Sequence, residues 1–581
     1  MKTTFPIHWS GRNLLLLLAL SIGFAAFGAS VVNSPHDLTV NGPGTVKAVT
    51  EKNVCVFCHT PHHANGATPL WNHSMSSVSN YVVYGSARLT NMNITVPQPN
   101  GSSRLCLSCH DGTVALGDIS SGAGAIAMQG GVTTMPSGAN NLGTDLSQDH
   151  PISLDYDAAA QADNTLTPRA TVNKRVKFEQ VGGIYRVQCT SCHNPHDNQF
   201  GKFLVMDNTG SALCVTCHQP AQWSSSPHAL SGAIAPQAVV ARVAKKTSVN
   251  SATISSATVS ALGCENCHVN HAAAPGSRLL QAAAMEQNCV NCHNGTTAKK
   301  NVNSDFQKLS IHPITLNAKT HSSTENPINP VTRHVTCADC HDAHAANTTT
   351  ATAPNASGAL ANLVGVTAAG GVIKPLQKEY ELCFRCHADS TQRGAAVVPR
   401  QYVETNTRLE FSPANQSYHP VVAVGQNAVS VPSLISPWKT SSVMYCTDCH
   451  NSDTGPGAGG SGANGPHGSA FRPLLERNLV TTDNQAESPA AYALCYKCHD
   501  RNKVLSSSSF RYHSKHVVDK KTACTTCHDS HGVANAPHLI NFNPTYVTTN
   551  SLGQLNYIST GTFKGTCNLK CHGENHRNYS Y

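Results

Sequence analysis

Thiols and imidazoles are the reactive side chains that this sequence repeats: 24 Cys and 32 His in 581 residues. The cysteines come in pairs, and a histidine follows every second one. In chain order the motifs are Cys55, Cys58, His59; Cys106, Cys109, His110; Cys189, Cys192, His193; Cys214, Cys217, His218; Cys264, Cys267, His268; and Cys289, Cys292, His293. They continue with Cys337, Cys340, His341; Cys383, Cys386, His387; Cys446, Cys449, His450; Cys495, Cys498, His499; Cys524, Cys527, His528; and Cys567, Cys571, His572. Twelve motifs use every cysteine. The last carries three residues between its thiols where the others carry two.

Two thiols at this spacing face one porphyrin edge and add to its two vinyl groups, and the adjacent imidazole reaches under the ring as an axial ligand. C-x-x-C-H is the pattern of covalent haem c attachment. Disulfides give no reason for a histidine after every second cysteine, and zinc sites would pair the motifs without requiring it. The sequence therefore predicts twelve covalent haems c, with His59 to His572 as the proximal ligands.

The sixth coordination positions need twelve more donors. Methionine is the usual rival, but only Met75, Met92, Met128, Met135, Met206, Met285 and Met444 remain beyond the leader, against 19 spare histidines. Two imidazoles per iron are expected, with a lower reduction potential than a His/Met pair. The spare histidines follow the motifs, which form six doublets. In five, the first motif carries a histidine three residues on: His62, His196, His271, His344 and His531. Ahead of each doublet lies another: His36, His150, His228, His312, His419, and in the sixth His513 or His516. The fifth doublet, CTDCHNSD, has no histidine at that offset, and His467 is its expected substitute. His63, His73, His321, His334, His538 and His576 are reserves.

The surrounding chain must hold these groups with little conventional core. Aromatic residues are 6% and charged residues 12%, so the porphyrins are expected to fill the interior. The predicted fold is irregular and coil-rich, with short helices, few strands, a haem-packed core and six tandem dihaem units: 31–130, 131–225, 226–305, 306–400, 401–500 and 501–581. Residues 1–30 read as a cleaved export signal, with Lys2 and Arg12 flanking the apolar run from Leu14 to Ala29. His8 leaves with it, and no transmembrane anchor is expected after cleavage. Short helical turns are expected around each motif, and a hairpin over 176–188 around Gly182-Gly183. The cysteine-free stretch 111–170 reads as a flexible linker or partner-facing loop, with 245–263 as a smaller one.

Formal charge is +8, or about +6 without the leader. Propionates change the sign: twelve ferric bis-imidazole haems bring the total to roughly −6, and reduction to roughly −18. Nucleic-acid binding therefore has no support, and lysine and arginine are expected to face propionates.

The phrases SPHDLT…CVFCHTPHHA, CLSCHDG, CTSCHNPH and CTTCHDSHG…CHGENH resemble those of the multihaem c-type cytochromes with doubled CXXCH motifs, over nearly the whole mature chain. The resemblance implies the periplasm or outer surface of a Gram-negative cell, and respiration on extracellular metals. Saturated irons imply electron relay without small-molecule turnover, between periplasmic donors and outer-membrane or extracellular acceptors. The expected partners are other redox proteins: periplasmic or outer-membrane cytochromes, a porin–cytochrome conduit, or further copies of the chain in a filament. The alternative is a nitrite- or sulfite-type reductase, which requires one open iron; the fifth and sixth doublets are where it would sit.

Overall fold

Glycine and proline at 42 and 31 positions interrupt helical and strand periodicity throughout. The computed structural model is correspondingly rich in coil. It describes residues 30–581 except 67, 69, 123, 247–255, 277, 315–324, 330–333, 392–395, 427–430 and 507–508. The export segment, His321 and part of the 245–263 stretch lie outside the described residues. No helix among those described is long and apolar enough to cross a membrane.

The helices are short, and several end on a motif. Gly101–His110 carries the second motif and Glu379–His387 the eighth. Cys189–Cys192, Cys337–Cys340 and Cys524–Cys527 are single turns formed by the motif itself. A helical turn suits the chemistry, because residues three apart lie on one face. Its closing bond runs from the histidine N–H to the first cysteine's carbonyl: His193 to Cys189 at 2.9 Å, His450 to Cys446 at 2.9 Å, His528 to Cys524 at 2.9 Å.

Strands β1 (Glu179–Val181) and β2 (Ile184–Arg186) form the expected hairpin. Gly182 and Gly183 supply its two left-handed positions, with φ of 61° and 80°. Strands β3 (Ser310–Ile311), β4 (Gly365–Val366), β5 (Val372–Ile373), β6 (Ser417–Tyr418), β7 (Gly468–Ser469) and β8 (Gly532–Val533) are two residues each. β4 pairs locally with β5, whereas β3 pairs with β7 and β6 with β8 across more than a hundred residues. The largest sheet joins β9 (Val547–Thr548), β10 (Asn556–Gly561), β11 (Lys564–Cys571) and β12 (Glu574–Ser580), with β9, β10 and β12 all paired to β11.

The twelfth motif corrects the expectation of a helical turn at every site, because Cys567 and Cys571 lie on strand β11. The extra residue between the thiols removes the four-residue turn that the other motifs close.

The stretch 111–170 is also not the loose linker expected. It contains the helix Tyr156–Ala162, and it buries Leu116, Leu146, Leu154 and Tyr156. Leu146 packs with Tyr81 and Leu107, the latter inside the second motif, so this stretch is wrapped around a site. Elsewhere the apolar side chains form small separate clusters, and most of these include motif cysteines. Cys446 and Cys449 pack on Val366, Tyr380, Phe384 and Phe411, and Cys192 and Cys217 on Tyr156 and Leu213.

Candidate haem-binding sites

Each of six motif histidines is turned the same way. Its Nδ1–H donates to a nearby carbonyl: His110 to Asn140 at 2.7 Å, His193 to Lys202 at 2.9 Å, His268 to Arg278 at 2.8 Å, His341 to Ala359 at 3.0 Å, His450 to Pro473 at 3.1 Å and His528 to His538 at 3.0 Å. The Nδ1 of His499 pairs with the Ser433 hydroxyl at 2.9 Å. This bond fixes the tautomer and leaves Nε2 as a bare donor, the usual support of a metal-ligating imidazole.

Opposite these rings stand the spare histidines. Among the described residues, ten motif rings each face one non-motif ring, with centroids 6.0–6.4 Å apart. Two imidazoles bonded to one metal through Nε2, at about 2 Å per bond, place their centroids about 6.3 Å apart. The spacing therefore fits one iron between each pair, and it is too long for ring stacking.

The pairing has a rule. The upstream histidine of a doublet faces that doublet's second motif: His36 with His110, His150 with His218, His228 with His293 and His312 with His387. His419 lies close enough to His499 for its charge to lower the His499 pKa, though burial contributes more. The histidine three residues past a first motif faces the first motif of the preceding doublet: His196 with His59, His271 with His193, His344 with His268 and His531 with His450. His467 completes that series by facing His341 of the fourth doublet, not an iron site of its own doublet. In the sixth doublet His513 faces the first motif, at His528.

A second contact interlocks consecutive doublets. The residue just before each crossing histidine offers its carbonyl to the upstream histidine of the preceding doublet. Pro195 O receives His36 Nδ1 at 3.5 Å, Ala343 O receives His228 at 2.9 Å, Pro466 O receives His312 at 2.7 Å, and Ser530 O receives His419. At His150 the same role falls to its backbone N–H, bonded to Asn270 O at 2.8 Å. The upstream histidine of one doublet is thus held beside the crossing histidine of the next. No local spacing in the sequence encodes this crossing.

Burial keeps these rings neutral, the form that ligates. It lowers His36, His150, His268, His450, His467 and His499 to about 4, and His513 to about 3, with neighbouring imidazoles adding to the effect. His531 is the exception. Burial alone would lower it, but a 2.8 Å bond from its Nδ1 to Glu410 Oε2 outweighs that and leaves it raised. His271 and His344 also meet carboxylates, Asp149 at 3.1 Å and Asp342 at 3.4 Å.

The motifs follow one another in space as in sequence. In four doublets one second cysteine adds to the rise that burial causes in the other's pKa: Cys58 at Cys109, Cys217 at Cys192, Cys292 at Cys267 and Cys498 at Cys449. Between doublets the first cysteines lie close enough for one to raise the other's pKa: Cys189 raises Cys106, Cys264 raises Cys214, Cys337 raises Cys289, Cys446 raises Cys383 and Cys495 raises Cys524. The result is one unbranched series of sites.

The remaining candidates are placed differently. His62 and His63 are exposed. His572 turns Nε2 to Asp483 Oδ2 at 2.9 Å and Thr522 Oγ1 at 3.1 Å; His516 lies near enough to feel its charge, and its own Nδ1 donates to Tyr512 O at 2.8 Å. His73 is fully buried, with Nδ1 on Ser74 O. His334 sits between Glu325 and Asp339, and His576 packs on Tyr579.

Two family models match parts of the chain. Residues 184–222 match the doubled CXXCH motif, covering the second doublet. Residues 256–418 match domains II/IV of the MtrC/MtrF-like outer membrane cytochromes, covering the third and fourth. No curated protein matches the chain. Twelve repeated thiol–thiol–imidazole motifs, imidazoles facing one another at metal-bridging distance, and these two matches make the chain a multihaem c-type cytochrome with doubled CXXCH motifs.

Proposed function

We propose that the chain binds twelve haems c, each through two thioether bonds, and carries electrons along them in sequence order. Bound there, the groups supply one-electron redox chemistry and a path from site to site. The chain's own residues do the rest. The motif turns fix the two sulfurs and the proximal Nε2, the crossing histidines close the opposite face, and backbone carbonyls hold both rings in register. In this reading the upstream and crossing histidines are the distal ligands, His516 serves the site of His572, and six units stand in tandem.

The observation that carries the proposal is the set of ten facing imidazole pairs at 6.0–6.4 Å. An iron held between two imidazoles has no free position for substrate, which supports relay over reductase chemistry. The fifth doublet, one of the two where the open iron of a reductase would sit, supports the same reading: His450 meets His531, and the missing crossing histidine is replaced by His467. The match to MtrC/MtrF-like outer membrane cytochromes supports a place between periplasmic donors and outer-membrane or extracellular acceptors. The intact mass of the exported protein, with a pyridine haemochrome assay, tests the count. Twelve haem groups per chain are expected, and free thiols or disulfides at any motif would refute it.

A further inference from the structure

Pro61–His62 belongs to the same set as the crossing pairs Pro195–His196, Asn270–His271, Ala343–His344, Pro466–His467 and Ser530–His531, yet it meets no motif among the described residues. Its loop is prepared like theirs. The His62 N–H bonds Thr60 Oγ1 at 3.4 Å, as His196 N–H bonds Asn194 Oδ1 at 3.1 Å and His531 N–H bonds Asp529 Oδ1 at 3.1 Å. The His62 side chain is exposed, beside exposed Cys55 and Cys58.

The other end of the series shows the complementary feature. At the sixth doublet the place of a crossing pair is taken by Tyr512–His513 from the same doublet. His513 faces His528 at 6.3 Å, and the Tyr512 carbonyl holds His516 Nδ1 at 2.8 Å. These are the two contacts that a following doublet makes elsewhere. His513 Nδ1, like that of the crossing His467, is buried without a well-formed hydrogen bond, whereas His271, His344 and His531 each meet a carboxylate there. An imidazole without that bond is a poorly oriented, less basic ligand.

We propose that Pro61–His62 of one copy docks on the sixth doublet of a second copy, where His62 replaces His513 opposite His528 and Pro61 O replaces Tyr512 O on His516. The inference rests on the bis-imidazole reading above. The exchange breaks one iron–Nε2 bond and forms another between neutral imidazoles, so neither protons nor electrons are transferred. Repeated from copy to copy, it continues the series of sites from the first doublet of one chain into the sixth of the next. The occupant is a second copy because, among the described residues, Pro61–His62 is the one crossing pair that meets no motif, and a crossing pair is what the corresponding end of every other doublet receives.

The test uses full-length holoprotein and two variants, His513→Ala and the double variant His62→Ala/His513→Ala. Electron paramagnetic resonance counts high-spin iron, and sedimentation gives assembly size across a concentration series. Dilute His513→Ala is expected to show one high-spin iron per chain, lost as concentration rises and copies associate. The double variant is expected to keep it at every concentration and to sediment as single chains, with added imidazole converting it to low spin and so showing that the site is folded. The proposal is overturned if His513→Ala keeps its high-spin iron at all concentrations, or if the double variant loses it as the single one does. A wild-type protein without bis-imidazole irons would instead remove the reading beneath it.

Discussion

Glu410 distinguishes one imidazole from its fellows. Many facing rings donate Nδ1–H to a neutral carbonyl and three meet a carboxylate, of which His531 has the shortest bond, 2.8 Å to Glu410, and a raised pKa. A charged acceptor makes the imidazole a stronger donor at Nε2 and favours the oxidised metal opposite it. Glu410→Gln keeps the shape and weakens the acceptor. The expected result is an upward shift of one midpoint potential by about 60 mV, a tenfold change for one electron, with the other potentials unmoved in a spectroelectrochemical titration. No change, or a downward shift, would remove this role. At this scale the sequence was highly informative. The C-x-x-C-H motifs and most of the histidines that the structure sets opposite them are legible, because such a motif is a matter of fixed local spacing. His62 and the destination of His467 are not, because which iron a histidine reaches depends on a neighbouring doublet.

Two-residue strands do much of the positioning. β6 pairs with β8 and β3 with β7, and each pairing lies directly beside facing-ring residues: Tyr418–His419 against His531–Gly532, and Ile311–His312 against His467–Gly468. The glycines after His467 and His531 permit this approach. A Cβ on Gly532 would lie 1.9 Å from Glu410 O, and one on Gly468 1.8 Å from Asp305 O. Backbone cannot yield as a flexible side chain does, so Gly532→Ala must open the ladder, at a cost of about 1–3 kcal/mol. The expected outcome is lower thermal stability together with high-spin iron from the His450 and His499 sites. Unchanged spectra with lowered stability would separate packing from ligand positioning. Such short ladders leave no periodicity in the sequence, which is why the hairpin at Gly182–Gly183 was readable and these were not. Likewise the 111–170 stretch reads as a linker from its composition, yet its few apolar residues are spent on wrapping the second motif.

As a whole molecule, the chain has apolar clusters too small and too separate to hold 581 residues together. In the proposed reading the porphyrins are the missing interior, and folding and cofactor attachment are one event, as in metal-dependent small domains. Protein made without haem attachment is expected to be protease-sensitive and to lack cooperative thermal unfolding. A sharp transition in such material would show that the polypeptide suffices. The central claim is that each iron lies between two imidazoles in one continuous series, and low-temperature electron paramagnetic resonance of the oxidised holoprotein tests it most directly. The account predicts low-spin bis-imidazole signals integrating to the full haem content; a stoichiometric high-spin iron in the dilute wild-type protein, or methionine-ligated centres, would contradict it.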